Sequence, residues 1–192
     1  ADGQGWRADM ADGFPIHADA VVLAAGEGNE ALLAQVGISG WMQRRPLHMA
    51  MVNGAPFRLS GHCIDVKTAN ASPLVTITSA PSERGWVWYV GGRPAEEGVK
   101  RNAVAQSAAV LHTLRSCLPG LDLSAVRVAT TRIDRAEGVQ PDGKRPAAHV
   151  LRQSGSLFAV WPTKLALAPA LADDVVSGLR AIIRSGSAGP SR

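Results

Sequence analysis

The apolar run Ala20-Val21-Val22-Leu23-Ala24-Ala25 passes directly into Gly26-Glu27-Gly28-Asn29-Glu30-Ala31, which reads as a buried strand running into a glycine turn and then a helix. Such a junction is where proteins hold dinucleotides. Glycines let the backbone approach a phosphate or a flat ring closely, and the amides opening the helix offer unpaired donors to an anion. In a chain with 20 glycines, the G-x-G-x-x-A spacing also describes an ordinary strand-to-helix turn.

The surroundings narrow the choice. A nicotinamide-type fingerprint follows the first strand of its domain and expects an acidic residue about 20 positions later. Here Gly5 to Ile16 reads as two short strands around a turn at Asp12-Gly13, and Gln43 to Val52 holds Arg44, Arg45 and His48 but no carboxylate. The glycine turn is therefore expected to be a secondary cofactor contact, with the primary phosphate loop upstream of Ala1.

Strand patterns dominate the middle of the chain, at Pro46 to Val52, Leu74 to Thr78, Trp86 to Val90 and Val126 to Thr131, and suggest a mostly antiparallel sheet. A short helix is implied from Asn29 to Gln35. A longer one starts after Asn102, a suitable N-cap, with Val104, Ala108, Leu111, Leu114 and Leu118 on one face, and stops at Leu118-Pro119-Gly120. The last begins near Pro169 and carries Leu171, Val175, Val176, Leu179, Ile182 and Ile183 on a broad apolar stripe.

Five segments in order resemble one family. The hairpin followed by Ala18 to Gly26 is similar to the later FAD-contacting segment of the D-amino acid oxidase and glycerol-3-phosphate dehydrogenase superfamily of flavoproteins. Arg44-Arg45-Pro46-Leu47-His48-Met49 resembles the strand entering the substrate domain, and Trp86 to Gly92 the strand ending in glycines before an acidic pair, Glu96-Glu97. Thr131-Arg132 and then Pro141-Asp142-Gly143 resemble the Arg-containing segment and its Asp-Gly turn. Leu157 to Pro169 resembles the last strand, flavin-side loop and closing helix.

The resemblance implies an α+β fold: a mostly antiparallel substrate-domain sheet with flanking helices, plus the last strands and closing helix of an FAD-binding Rossmann-like domain. The domains would be 1–40 for the end of the FAD domain, 41–150 for the substrate domain, 151–184 for the return to the FAD domain, and a disordered tail at 185–192. It implies FAD as cofactor, contacted by Ala24, Ala25, Gly26, Gly28, Pro162, Thr163, Lys164 and Leu165. The activity would be hydride transfer to flavin from a small amine or hydroxy substrate bearing an acid group, with the chemistry supplied by the cofactor. Lys164 would place a positive charge where reduction leaves a negative one, or would be a solvated loop lysine.

Arg132 is the candidate for the substrate's acid group, since a guanidinium grips two oxygens at once. Arg135 is its rival, facing the other side of a strand, and a surface salt bridge to Asp134 or Glu137 is the plainer role for either. Histidine is the side chain suited to proton transfer, which makes His48 the candidate base, although it has no partner in the sequence, which also suits a hydrogen-bonded structural histidine. Trp86, Trp88 and Tyr89 could line a substrate cavity or form core and cross-strand packing.

Two departures from the family stand out. Its N-terminal G-x-G-x-x-G and downstream acidic residue are absent, and Trp161-Pro162-Thr163-Lys164 stands where many relatives have a Gly-rich, His-containing loop. The chain is thus expected to be the C-terminal part of a larger enzyme, its partner the missing N-terminal FAD-binding half, and to be inactive alone. A nicotinamide-binding domain and a non-catalytic β-rich interaction module are the alternatives.

Composition bounds the rest. With 192 residues, 46% of them apolar, the chain can bury a real core. No apolar run approaches the roughly 18 residues of a membrane helix and no signal peptide opens the chain, so a cytoplasmic location is expected. Net charge is +4 and the isoelectric point about 9.6, yet the 16 Arg and 4 Lys are scattered among 16 acids. That argues against nucleic acid and fits a GC-rich bacterial genome. Cys63 and Cys117 have no C-x-x-C or histidine spacing, so no metal site is expected, and buried thiols are favoured over a disulfide.

Overall fold

The computed structural model describes residues 5–65 and 73–187, and the chain divides into two compact units. One combines Ala1–Arg45 with Arg135–Arg192, and the other is Pro46–Asp134.

The first unit opens with an antiparallel hairpin of β1 (Trp6–Asp9) and β2 (Pro15–Ala18), turning where Asp12-Gly13 suggested. The Asp12 carboxylate accepts from the Phe14 N–H at 3.1 Å across this turn. β3 (Val21–Leu23) then runs into a single 3-10 turn at Gly26–Gly28 and α1 (Asn29–Gln35). β4 (Met42–Ala55) carries the chain into the second unit.

That unit contains β5 (Gly61–Cys63), β6 (Val75–Ser82), β7 (Gly85–Gly91), the short α2 (Arg93–Glu97) and α3 (Ala103–Cys117). β8 (Arg127–Gly138) leads back to the first unit, which β9 (Val150–Ser154), β10 (Leu157–Trp161) and α4 (Ala168–Ser187) complete.

A five-stranded sheet with the order β5-β6-β7-β4-β8 contains all four strands anticipated in the middle of the chain, with β5/β6, β6/β7 and β7/β4 antiparallel. Alternation decides which residues it buries. Ala50, Val52, Val75, Ile77, Trp88 and Val90 point into a core closed by Val110 and Leu114 of α3. Trp88 is fully buried, donates from Nε1 to the Phe57 carbonyl at 2.8 Å and meets the Phe57 ring edge-on, whereas Tyr89, one residue on, is exposed.

The buried face of α3 is only in part the one that apolar spacing selects. Leu114 is buried and Leu111 and Leu118 pack against the core, but Val104 is 80% exposed, and the fully buried row is Gln106, Val110 and Leu114. Gln106 faces inward because its amide donates to the His48 carbonyl at 2.7 Å and to the Pro94 carbonyl at 2.9 Å, satisfying two backbone acceptors in the interior. Asn102 does cap the helix, accepting from the Ala105 N–H.

In the first unit β10 is the middle of three strands, parallel to β3 and antiparallel to β9. A strand covered on both faces needs no alternation, and all five residues from Leu157 to Trp161 are buried. α4 crosses at Gly178, where a Cβ would stand 2.7 Å from Phe158 Cε1. The stripe on α4 is narrower than six positions: Leu171 is buried, while Val176 and Ile183 are exposed. The helix also continues to Ser187, so the expected disorder from 185 is corrected for 185–187, and 188–192 lie outside the described residues. Extending an existing helix adds a hydrogen bond for each residue fixed.

The inner unit, 46–134, is shorter than the 41–150 span expected for one domain. Trp41, Met42, Ala136 and Val150 pack with Leu33, Leu157, Ala159 and Trp161 in the core of the first unit, which draws both flanks into it. Cys63 and Cys117 are free and half-buried. Burial, with the Cys63 thiol beside it, pushes the Cys117 thiol up to about 11. Among the described residues no helix is long and apolar enough to cross a membrane, and no cluster of potential metal ligands occurs.

Candidate functional site

β3 and β10 run side by side in the same direction, so their C-terminal ends open on one edge of the sheet. In parallel sheets that edge is where ligands bind. A cavity of about 580 Å³ lies there within the first unit, walled by Ala24 and Gly26 after β3, Val160 and Trp161 at the end of β10 with Pro162 to Leu165 beyond it, Arg135 to Glu137 of β8, and Ala168 and Leu171 of α4.

Asn29 fixes the two strand ends relative to each other. Fully buried, its Oδ1 accepts from the Ala25 N–H at 2.8 Å and its Nδ2 donates to the Val160 carbonyl at 3.3 Å. The turn between them needs a glycine only at Gly26, where φ is +60, since Gly28 has ordinary helical angles. Two of the amides at this turn are already used, because Ala25 N–H goes to Asn29 and Gly28 N–H to the Ala25 carbonyl.

The loop after β10 is strained. Thr163 has φ +61, the only non-glycine residue in the left-handed region among the described residues. The Lys164 N–H donates to the Pro162 carbonyl at 2.6 Å, closing a three-residue turn of the rare positive-φ kind. Within the same wall, Trp161 Nε1 and Thr163 Oγ1 are buried and have no hydrogen-bond partner. A buried donor without an acceptor costs free energy that a ligand oxygen or nitrogen would offset. Lys164 and Leu165 stand exposed at the rim, and α4 begins beside them.

Electrostatically, the remaining wall is held by an ion pair. Glu137 is 2% exposed, and Arg45 grips it with Nε to Oε2 at 3.2 Å and Nη2 to Oε1 at 3.1 Å. A carboxylate this deep requires such a two-point partner. Arg135 also lines the cavity.

Of the residues singled out from sequence, Ala24, Gly26, Pro162, Thr163, Lys164 and Leu165 converge on this cavity, while Ala25 and Gly28 lie behind its wall as backbone partners. Arg132 and His48 belong to the second unit. There Arg132 donates from Nη2 to the Arg101 carbonyl at 2.8 Å. His48 is buried, with Nδ1 3.0 Å from the Gly98 carbonyl, which only a protonated Nδ1 can satisfy. Asn29, Trp161, Glu137 and Arg45 were not selected as site residues. The sequence suggests Glu137 as a surface salt-bridge partner of Arg132 or Arg135, whereas the structure buries it and pairs it with Arg45, 92 positions away.

The cavity's volume lies within the range of about 300 to 1,000 Å³ usual for ligand sites. Two orphaned donors, the start of a helix and a rim lysine suit a planar group rich in acceptor atoms that becomes negative on reduction.

No family model matches the chain. Over 172 residues it is 46% identical to a probable FAD-dependent oxidoreductase of Pseudomonas aeruginosa, PA4991, an alignment covering 88% of this chain and 43% of that protein. Its fold superposes on the crystal structure of the same protein with a TM-score of 0.78 and 42% identity, over 98% of this chain and 53% of the other. The chain is homologous to an FAD-dependent oxidoreductase. It spans less than half the length of this curated relative. Glycine oxidase from Geobacillus kaustophilus (TM-score 0.53, 22% identity, 92% of this chain and 46% of that one) and the amino acid oxidase NikD (0.53, 16%, 88% and 46%) share the fold. The mixed α+β architecture with antiparallel sheets matches that of these oxidoreductase structures, as the resemblance in the sequence implied.

Proposed function

We propose that this chain is the C-terminal part of an FAD-dependent oxidoreductase, that the cavity at the ends of β3 and β10 holds the flavin ring, and that the second unit is the substrate-binding domain. The observation that carries the reading is the convergence of Gly26 with the Pro162 to Leu165 loop on one cavity whose wall contains two buried donors without acceptors. The relative's name supplies the cofactor, FAD.

The bound cofactor would accept a hydride from the substrate. The chain's own residues would supply binding and electrostatics. Trp161 Nε1 and Thr163 Oγ1 would donate to acceptor atoms of the ring. Lys164 and the opening of α4 would favour negative charge at its rim, and Gly26 would allow backbone approach. The substrate would be a small amine or hydroxy compound with an acid group. Arg132 remains the candidate to bind that group, and Arg135, which lines the cavity, is its rival. His48, already bonded to the Gly98 carbonyl, is assigned the structural one of its two roles.

The nicotinamide alternative is disfavoured by the internal use of the Ala25 and Gly28 amides, which leaves the turn little to offer a pyrophosphate.

Expression together with the coding sequence upstream of Ala1 tests the reading. The product should retain FAD, appear yellow, and bleach when mixed anaerobically with its substrate, while the 192-residue chain alone should bind FAD poorly. A colourless product that takes up no added FAD would reject it.

A further inference from the structure

We propose that Arg145 is a positioning residue for the cavity of the first unit: it braces the strained turn at Thr163 and so fixes the place of Thr163 Oγ1 in the cavity wall. This rests on the assignment of that cavity to the flavin ring.

Threonine is β-branched and is poorly accommodated at φ +61, so a free loop of this sequence would relax toward the extended or right-handed region and carry its hydroxyl away. The turn's internal bond, Lys164 N–H to the Pro162 carbonyl, is local and weakly determining. The restraint from outside comes from Arg145, whose Nη2 donates to the Thr163 carbonyl at 3.0 Å. A charged donor makes a stronger bond than a neutral one, although this guanidinium is exposed.

Arg145 is itself held. Gln43 at the start of β4 accepts at Oε1 from the Gln140 N–H at 2.9 Å and donates from Nε2 to the Lys144 carbonyl at 2.8 Å. The Asp142 carboxylate accepts from the Lys144 N–H at 3.0 Å. One glutamine thus pins both ends of the 140–144 loop, and the next residue reaches the turn. A glycine at 163 would hold the same φ without strain and would need no brace.

That difference gives the test. Arg145→Met, Arg145→Lys, Thr163→Gly and the Arg145→Met/Thr163→Gly double variant are made in the protein bearing its upstream sequence. FAD affinity, the visible spectrum of the bound flavin and the unfolding midpoint of the apoprotein are measured. In the native background Arg145→Met should weaken FAD binding about tenfold, shift the flavin bands and lower the apoprotein midpoint, with Arg145→Lys restoring most of each. In the Thr163→Gly background the same substitution should change affinity less than about twofold and leave the midpoint in place. Equal effects in both backgrounds, or none in either, would overturn the brace. A native protein that binds no FAD would overturn the flavin assignment, while the apoprotein midpoints would still decide whether Arg145 holds the turn.

Discussion

Replacing Asn29 by alanine should destabilise the first unit far more than replacing the other asparagine that bonds to backbone at a helix start. Asn29 is fully buried, and its loss leaves the Ala25 N–H and the Val160 carbonyl without partners in a site that alanine is too short to refill. An unsatisfied buried group costs roughly 1 to 3 kcal/mol. The 2.8 Å bond to Ala25 warrants the middle of that range, and the longer 3.3 Å bond to Val160 its lower end. Together they give about 3 kcal/mol, or a fall in melting temperature of about 6 to 12 °C for a chain of this size.

Asn102 is exposed and caps α3 with a single bond to the Ala105 N–H, so Asn102→Ala should cost only about 1 kcal/mol. Asn29→Asp should not rescue, since it keeps the acceptor for Ala25 but turns a buried carboxylate oxygen toward the Val160 carbonyl. Urea unfolding followed by tryptophan fluorescence measures all three, with Trp161 in the same core as a reporter. An Asn29→Ala variant no less stable than Asn102→Ala would refute the argument that this side chain ties the glycine turn to β10.

Arg45→Met should destabilise by about 3 kcal/mol, because it strands the Glu137 carboxylate in the cavity wall, whereas Arg45→Met/Glu137→Leu should recover most of that loss; chemical denaturation of the set checks it. The Cys117 thiol is raised from 9.0 to about 11, so the folded state favours the protonated form. Stability is therefore unaffected below about pH 9 and falls as pH rises from 9 through about 11, where the unfolded thiol ionises first. Cys117→Ala should remove this alkaline slope, and melting curves between pH 8 and 11 would show whether it does.

The fold was legible wherever burial follows from apolar pattern alone. β10 reads as a strand because Leu157 to Trp161 is apolar throughout, and the hairpin because Asp12-Gly13 supplies its own turn chemistry. The flavin-side loop was found as a segment through its likeness to relatives. Its most informative property, a threonine at positive φ, is conformational and leaves no mark in composition.

What escaped were the buried polar residues, and they share one cause. Gln106 meets a backbone carbonyl 58 positions away, Glu137 a guanidinium 92 away and Asn29 a carbonyl 131 away. Periodicity ranks side chains by transfer from water, so it sends each of these outward. On α3 it placed Leu111, Leu114 and Leu118 correctly against the core but chose Val104 over Gln106, which is the buried one of the two. A polar side chain goes inside only when a distant partner is already waiting there, and that partner is a property of the assembled fold. The same condition is left unmet at Trp161 Nε1 and Thr163 Oγ1, the buried side-chain atoms without a partner among the described residues, and both residues line the cavity proposed for the flavin ring.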